Sequence, residues 1–284
     1  MLDVMYQINT HYDQFTPSSR KIADYVREHC AQAQYLSISG LASECGVAEA
    51  TIFRFCKQLG FGGYNEFKLA LAKSSILNQP NPYAAYGELT PEDNTVEAMC
   101  RRLYEANIQA LNQTLSLLDE AALIKAGDLL AGAGKILGLG YGGSMSTVRE
   151  AWSRFLTVTP KFFTIEDNHM QIMAASLLEK NDVILFVSYS GSTRDAEDVL
   201  RPAKARGAKI VLITHYADSP AASMADVVLL CGGHERPLQT GSIAAKMAML
   251  FVVDMLVNEF CRRDMDTTMR NKDLTANALA IRHL

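Results

Sequence analysis

The chain has little of what membrane spans, disulfide frameworks and structural zinc sites require. Its richest apolar run, 248–253, ends at Asp254, well short of the ~18 residues that cross a bilayer. Its six cysteines are scattered without a Cys-x-x-Cys pair, which favours free thiols over disulfides or zinc. The opening residues lack a basic segment followed by an apolar core, so no signal peptide is expected. We therefore expect a cytoplasmic protein with no membrane span, no metal and no cofactor.

An excess of charge of one sign is also missing. Lysine and arginine number 27 and aspartate and glutamate 31, so the net charge is −4. This balance argues neither for nor against a nucleic-acid partner. Over 284 positions, 49% of residues are apolar and 20% are charged. That composition is typical of a globular protein with one large domain or two ordinary ones.

Residues 1–77 have the pattern of a helix-turn-helix domain. Thr16-Pro17 is a good helix start, because threonine caps the first turn and proline fits into it. Within 37–61, two short helical patterns are separated by a turn at 45–47. The inner face of the second pattern is apolar and consists of Ile52, Phe55 and Leu59. In a helix-turn-helix, the second helix lies in the major groove of DNA.

The outer face of that second pattern has side chains suited to DNA. Ala50 and Thr51 can contact a thymine methyl group, and Arg54 can donate two hydrogen bonds to a guanine. Lys57 can reach a phosphate. Because seven basic residues in 1–77 are balanced by seven acidic ones, a single copy would attract DNA phosphates weakly, and two copies are expected. The alternative is a plain helical hairpin with a solvated charged face.

The remainder of the chain changes character after residue 77. The stretch 78–94 contains Pro80, Pro82, Gly87 and Pro91 and cannot sustain a helix, so it is interpreted as a linker. Two helical patterns follow, and then strand patterns alternate with helical ones. The strand patterns are 135–139, 161–165, 183–187, 209–214 and 227–230. The alternation predicts a parallel sheet covered by helices on both faces, with a ligand site beyond the carboxyl ends of its strands.

Two turns in this half favour a phosphorylated ligand. The serine turn, 188–193, has the sequence Ser-Tyr-Ser-Gly-Ser-Thr and joins an apolar strand to a helix, so hydroxyls, free amides and a helix N-terminus converge. The glycine turn, 140–144, follows another strand pattern. From Gly138 it matches Gly-x-Gly-x-x-Gly formally, but the acidic residue of a dinucleotide site comes too late. The alternative is that Ser192 or Thr193 merely caps the helix.

Both halves resemble one family of bacterial regulators. The run 37–71, with its Ala-Thr-Ile-Phe-Arg-Phe and Gly-Tyr-Asn-Glu-Phe-Lys segments, resembles the N-terminal module of RpiR-family regulators. The glycine and serine turns resemble the two loops of a SIS domain, a phosphosugar-binding fold. The resemblance implies an all-α helix-turn-helix domain over 1–77, a linker over 78–94 and an α/β SIS domain over 95–284. The SIS domain would contain a flavodoxin-like parallel sheet.

The resemblance also implies which residues bind. Operator DNA would be bound by a dimer, with Thr51, Arg54 and Lys57 as contacts beside Ala50 and Lys68. The candidates for ligand binding are Gly142, Ser144, Ser188, Ser190, Gly191, Ser192, Thr193, His169 and Glu235. His169 belongs to an acidic-x-His-x-Gln stretch seen in family members, although a capping or core histidine remains an alternative. Glu235 lies roughly where sugar isomerases of this fold have a base, and a salt bridge to Arg236 is the alternative.

The expected function is a transcriptional regulator that binds double-stranded operator DNA as a homodimer or homotetramer. A phosphorylated sugar or amino sugar would control its operator affinity, and no catalytic residue is assigned. The alternative is an aldose-ketose phosphosugar isomerase with an accessory helical domain, supported by Glu235 and His169. The sequence places no acid and base together for that chemistry. A third possibility is a phosphosugar sensor that acts through a protein partner.

Overall fold

The computed structural model describes residues 4–77, 95–233, 235 and 241–280. The chain divides into two compact units. The N-terminal unit comprises Met1–Ala106 and His234–Ser242, and the sheet unit comprises Asn107–Gly233 and Ile243–Leu284. The predicted linker, 78–94, lies outside the described residues, so the predicted domain boundaries stay a prediction. A search of the described helices for a possible bilayer span finds no candidate.

The N-terminal unit is built from helices around an aromatic and aliphatic core. Its helices are α1 (Val4–His11), α2 (Pro17–Glu28), α3 (Cys30–Ala33), α4 (Ile38–Cys45), α5 (Glu49–Gln58) and α6 (Tyr64–Leu77), with one 3-10 turn at Tyr12–Gln14. Phe55 of α5 and Phe67 of α6 meet edge to face at 5.9 Å. Both rings are almost completely buried, and such burial stabilises a fold by ~1.5–3 kcal/mol for each side chain.

Local capping explains where the helices of the helix-turn-helix begin and end. Ser19 N donates to Thr16 Oγ1 at 3.2 Å, which confirms the predicted start of α2 at Thr16-Pro17. Gly40 N likewise donates to Ser37 Oγ at the start of α4. Gly46 ends α4 at φ +60°, a left-handed conformation that glycine adopts without steric cost. The predicted helix, turn and helix are therefore confirmed as α4, the Gly46 turn and α5.

The sheet unit alternates strands and helices. Its elements are α8 (Glu120–Gly132), β1 (Ile136–Gly140), α9 (Gly143–Leu156), β2 (Phe162–Thr164), α10 (Asn168–Ser176), β3 (Val183–Val187), α11 (Arg194–Ala205), β4 (Lys209–Thr214), α12 (Pro220–Met224), β5 (Val227–Leu230), α13 (Ile243–Cys261) and α14 (Met265–Ala280). Helix α7 (Val96–Ser116) precedes them and runs from the N-terminal unit into the sheet unit, because the division falls after Ala106.

The five described strands form one parallel sheet in the order β2-β1-β3-β4-β5. β1 and β3 are neighbours, and Gly140 at the end of β1 pairs with Val187 at the end of β3. The chain order reverses between these two strands, because β2 lies on the far side of β1. In open parallel sheets, ligands bind beyond the carboxyl ends of the strands at such a reversal. The fold therefore brings the glycine turn and the serine turn to this position.

Helices cover both faces of the sheet, as predicted. Leu185 and Val187 of β3 pack in the cluster that contains residues of α8, α9 and α13. Ile184 and Phe186 pack in the cluster that contains residues of α10, α11 and α12. Alternate residues of a strand point to opposite faces, so a continuously apolar strand such as β3 is buried on both. This buried strand is the rigid support of the serine turn.

Candidate functional site

The serine turn is shaped by its own hydroxyl groups. Gly191 N donates to Ser188 Oγ at 3.1 Å, and Ser192 N donates to Ser190 Oγ at 3.4 Å. Ser192 Oγ donates to the carbonyl oxygen of Ser190 at 3.0 Å. These hydrogen bonds bend the turn and bring its hydroxyl groups close to its backbone amides. Such an arrangement of donors is suited to an anion.

Gly191 is required by the path of this turn. Its φ is +59°, and a Cβ atom at this position would lie 2.1 Å from Ser219 Oγ and 2.5 Å from Ser219 Cβ. Any other residue would therefore clash as well as adopt a strained backbone conformation. The serine turn thus combines a fixed backbone with a strand end that is completely buried.

Thr193 stands at the N-cap position of α11 with extended backbone angles. Its hydroxyl makes no capping hydrogen bond within the described part of the chain. The alternative that Thr193 serves only as a cap is therefore not supported by a bond. Ser192, the other capping candidate, bonds Ser190 instead. The amides at the start of α11 add to the donors of the serine turn.

The glycine turn begins the second helix of the site. Gly142 is the residue before α9 and has φ +52°. Ser144, half-buried in the first turn of α9, donates its amide to the carbonyl of Tyr141 at 3.1 Å. The Tyr141 hydroxyl donates to the carbonyl oxygen of Asp195 on α11 at 3.1 Å. The N-termini of α9 and α11 are therefore tied together, and helix N-termini favour negative charge.

Lys246 is a site residue that the sequence analysis missed. A Cβ atom on Gly143 would lie 3.5 Å from Lys246 Cε and 3.8 Å from its Nζ, so the ammonium group is beside the start of α9. It comes from α13, about a hundred residues further along the chain. Its signal in the sequence was weak, namely a lysine near the start of an otherwise apolar helical pattern. It adds positive charge where the two helix N-termini meet.

Gln171 and His169 both lie on α10 but in different settings. Gln171 is completely buried, and its Nε2 donates to the carbonyl oxygens of Ile165 at 2.8 Å and Gly140 at 3.4 Å. It therefore supports the base of the glycine turn. His169 is exposed, which excludes a core histidine, and Asp167 rather than His169 caps α10. Its predicted contact with a sugar stays a prediction.

The loop before α10 is joined to α9 by an ion pair. Arg149 donates from both Nε and Nη2 to the carboxylate of Glu166, and the Nε contact is 2.7 Å. These hydrogen bonds hold the pKa of Glu166 below its ordinary value. Because both side chains are more than half exposed, the pair contributes little to stability. Its geometric effect is to orient the loop that leads to His169.

Glu235 groups with the N-terminal unit rather than with the sheet unit. It is half-buried, and its Oε1 accepts from Gly241 N at 3.0 Å. The alternative salt-bridge partner, Arg236, lies outside the described residues. The predicted role of Glu235 toward a ligand therefore stays a prediction.

The predicted DNA-contacting residues of α5 share one accessible face. Ala50, Arg54 and Lys57 are exposed, and Thr51 is half-buried. Arg54 folds back on its own helix, with Nε 3.3 Å from the carbonyl oxygen of Ala50 and Nη2 3.4 Å from Thr51 Oγ1. Lys57 Nζ lies 5.6 Å from the centre of the Phe53 ring. Exposed Phe53 was not predicted, because an aromatic residue in this pattern is usually part of the core.

Lys68, the fifth candidate, differs from the other four. It is half-buried on α6, and its Nζ donates to the carbonyl oxygen of Tyr35 at 3.5 Å. Burial lowers the pKa of Lys68 to about 8, against the opposing effect of the Glu235 charge. Its ammonium group is thus engaged inside the N-terminal unit. Its contact with DNA stays a prediction.

Comparison with known proteins identifies both units. The model of the helix-turn-helix domain of the rpiR family matches residues 2–76, and that of the SIS domain matches residues 129–259. An uncharacterized HTH-type transcriptional regulator of Caldanaerobacter subterraneus is 32% identical over 284 residues, which cover 100% of this chain and 99% of the relative. The HTH-type transcriptional regulator HexR of Pseudomonas aeruginosa is 31% identical over 90% of this chain and 88% of HexR.

A solved structure matches the whole chain. The Vibrio vulnificus NanR protein complexed with ManNAc-6P superposes with a TM-score of 0.87 at 26% identity. The match covers 98% of this chain and 98% of that one. The similarity therefore extends over both units and is not confined to the sheet.

Proposed function

This chain belongs to the RpiR family of helix-turn-helix transcriptional regulators that carry a SIS domain, and from that premise we propose that a phosphorylated sugar or amino sugar controls its affinity for operator DNA. The phosphate group would bind between the glycine turn and the serine turn. The sugar ring would extend toward α10 and His169. The DNA would be contacted by α5.

The observation that carries the proposal is the convergence of two anion-favouring turns. Gly140 and Val187 are paired at neighbouring strand ends, and a Cβ atom on Gly140 would lie 3.0 Å from the carbonyl oxygen of Val187. Four residues with hydroxyl groups come soon after these strand ends in the chain, namely Ser144, Ser188, Ser190 and Thr193. Two helix N-termini and the Lys246 ammonium group add positive potential at the same place. A phosphate dianion uses all of these donors at once.

The similarity to NanR supports a phosphorylated amino sugar as the first ligand to test. NanR is described in complex with ManNAc-6P, and the match spans both units. At 26% identity, the similarity supports a shared mode of phosphate binding better than it supports the same contacts to the sugar ring. Ring contacts depend on individual side chains such as His169, whereas phosphate contacts depend largely on backbone geometry.

The exposed face of α5 supports direct contact with DNA. Arg54 and Lys57 are free to leave their intrahelical contacts, because those contacts are long, weak and exposed. Residues 1–77 have no net charge, so two copies bound to adjacent half-sites would supply the affinity that one copy lacks. We therefore propose a homodimer or homotetramer as the DNA-binding form.

We propose that the ligand site senses and does not catalyse. The relatives are named transcriptional regulators, and Glu235, the candidate base of an isomerase, groups with the N-terminal unit. Its carboxylate already accepts the amide of Gly241. An aldose-ketose isomerase needs a carboxylate beside the sugar carbons and an acid partner. Incubation with glucose 6-phosphate, an aldose phosphate with a hydroxyl at C2, followed by NMR, is expected to show no ketose phosphate.

Thermal unfolding with added ligands tests the proposed site. ManNAc-6P and other sugar phosphates are compared with the same sugars lacking phosphate. A ligand at 100 times its dissociation constant stabilises the native state by ~2.7 kcal/mol, so the phosphorylated form should raise the melting temperature and the plain sugar should not.

Two serine variants provide the matched controls for that test. Ser190→Ala removes a hydroxyl of the serine turn and should abolish most of the ligand-induced shift. Ser223→Ala removes an exposed hydroxyl that donates to the carbonyl oxygen of Pro220 on α12, and it should keep the shift. An equal shift in Ser190→Ala and the original protein would argue against phosphate binding at the serine turn.

A further inference from the structure

Tyr189 links the serine turn to the end of β5. It lies between Ser188 and Ser190 in sequence, but its ring stacks on His215 with centroids 5.0 Å apart. Its hydroxyl donates to the carbonyl oxygen of Gly233 at 2.8 Å in a buried contact. This hydrogen bond joins the turn to a segment 44 residues further along the chain.

The neighbouring contacts make this link rigid. The carbonyl oxygen of Tyr189 accepts from His215 N at 3.0 Å and from Thr214 Oγ1 at 3.1 Å. His215 Nδ1 lies 2.8 Å from the carbonyl oxygen of Cys231, so Nδ1 must be the protonated ring nitrogen. The turn is therefore joined to two nearby residues of one segment, Cys231 and Gly233.

The other side of that segment is held by α7. Gly232 N donates to Thr114 Oγ1 and Gly233 N donates to Gln113 Oε1, both at 2.9 Å. A Cβ atom on Gly232 would lie 2.6 Å from the carbonyl oxygen of Ala110. Gly233 has φ +81°, which favours glycine. Residues of α7 therefore fix the backbone of this glycine pair.

The residues after Gly233 group with the N-terminal unit. The chain leaves the sheet unit at Gly233 and returns at Ile243. Glu235, the first described residue of this excursion, accepts from Gly241 N. Glu235 and α6 belong to the same compact unit. The covalent chain thus runs in two residues from Gly233, which accepts the hydrogen bond of Tyr189, to a residue of the N-terminal unit.

We propose that Tyr189 is the positioning residue through which a ligand on the serine turn alters the N-terminal unit. The inference rests on the proposed function, because it requires a phosphorylated ligand at Ser188 and Ser190. Their hydroxyl oxygens accept from the amides of Gly191 and Ser192, and a phosphate that takes those amides as its own donors breaks these bonds and reshapes the turn. Tyr189 moves with its neighbours, and its hydroxyl transmits the movement to Gly233. Differential binding of this kind is what couples a ligand site to a distant one.

Backbone hydrogen exchange of the full chain, with and without ManNAc-6P, tests the relay. In the original protein the ligand should slow exchange in peptides covering 188–193 and change exchange in peptides covering 64–77. Tyr189→Phe keeps the ring on His215 and removes only the hydroxyl. It should preserve the response at 188–193 and reduce the response at 64–77 about fivefold.

Matched variants distinguish a relay from a general loss of structure. Thr164→Val also removes a hydroxyl that donates to a backbone carbonyl in the sheet unit, that of Gly138 at 2.8 Å, and should keep both responses. If Tyr189→Phe does not fold, Gln113→Ala tests the same segment. It should reduce the response at 64–77, and Gln113→Glu, which keeps the acceptor for Gly233 N, should restore it.

The outcomes separate the inference from the proposed function. Absence of protection at 188–193 in the original protein would overturn the proposed function and this inference with it. Protection at 188–193 together with an undiminished response at 64–77 in Tyr189→Phe would overturn the inference alone. Loss of the remote response in Thr164→Val would also overturn it, because the effect would then not be specific to Tyr189.

Discussion

The two units present their candidate functional groups in opposite ways. On α5, Arg54 and Lys57 are exposed and lie along the helix surface, while Ile52 and Phe55 bury the other face of the helix. In the sheet unit, the serine turn presents short hydroxyls and backbone amides at the end of a fully buried strand. A long exposed side chain can be replaced without disturbing the fold. In the serine turn, by contrast, the backbone shape itself forms the site. Substitutions should therefore change DNA binding without changing stability in the N-terminal unit, whereas in the sheet unit they should change ligand binding and stability together.

The largest effect is expected for Gly191→Ala in the serine turn. Its φ of +59° is strained for alanine, and the added methyl group would lie 2.1 Å from Ser219 Oγ. A left-handed alanine costs ~1–2 kcal/mol and overpacking ~1–3 kcal/mol. Urea unfolding should therefore show a loss of ~2–5 kcal/mol, together with loss of the thermal shift caused by ManNAc-6P.

Gly46→Ala is the matched control for that clash. Gly46 has φ +60°, but no non-neighbouring atom of the described residues lies within 4 Å of its added Cβ. Gly46→Ala should lose only the ~1–2 kcal/mol that a left-handed alanine costs. Its thermal shift with ManNAc-6P should be unchanged. If both variants lost the same stability, the close approach of Gly191 to Ser219 would not contribute to the cost of Gly191→Ala. The proposed link between stability and ligand binding in the serine turn would then be contradicted.

A smaller effect, confined to DNA binding, is expected for Arg54→Ala. Its guanidinium group is exposed and, among the described residues, bonds only its own helix, so the free energy of unfolding should change by less than ~0.5 kcal/mol. Affinity for a duplex selected from random DNA should fall by ~1–3 kcal/mol. Fluorescence anisotropy measures this loss, and circular dichroism during urea unfolding measures stability.

Arg201→Ala controls for the loss of a positive charge. Arg201 is an exposed arginine of the sheet unit, paired with Glu197 on α11, and its replacement should leave DNA affinity unchanged. Unaltered affinity in Arg54→Ala would remove α5 from the DNA interface and would favour a sensor that acts through a protein partner.

Sequence reasoning succeeded where the evidence lies close together along the chain. The cap at Thr16, the turn at 45–47 and the apolar run of β3 each depend on a few adjacent residues, and these predictions of structure are confirmed. The alternation of strands and helices predicted a parallel sheet for the same reason. Because parallel strands have their carboxyl ends on one edge, the two turns could be placed together before any coordinates were known.

The contacts that sequence could not supply join distant residues. Lys246 reaches Gly143 from a different helix, and Gln113 and Thr114 bond Gly232 and Gly233 across more than a hundred positions. No local pattern encodes such pairs, because they depend on the order of strands and the packing of α7. The same holds for Glu235, whose grouping with the N-terminal unit follows from contacts and not from its place in the chain.

The smallest expected effect compares two lysines within the N-terminal unit. Lys57 is exposed on α5, whereas Lys68 is half-buried and has a pKa lowered from 10.5 to about 8 by burial. Above pH 8 the folded state releases the Lys68 proton while the unfolded chain keeps it up to pH 10.5, so this group makes the protein more stable as pH rises. Between pH 7 and pH 9 the contribution is on the order of 1 kcal/mol.

Urea unfolding of Lys68→Met at pH 7 and pH 9 measures the contribution of Lys68 to the pH dependence of stability. The variant should lack that rise in stability relative to the original protein, and Lys57→Met should retain it. The effect on DNA affinity should have the reverse order, since Lys57→Met removes an exposed charge and Lys68→Met removes a half-buried one. A loss of DNA affinity in Lys68→Met without a change in the pH dependence of stability would instead place Lys68 with Arg54 and Lys57 on the DNA-contacting surface.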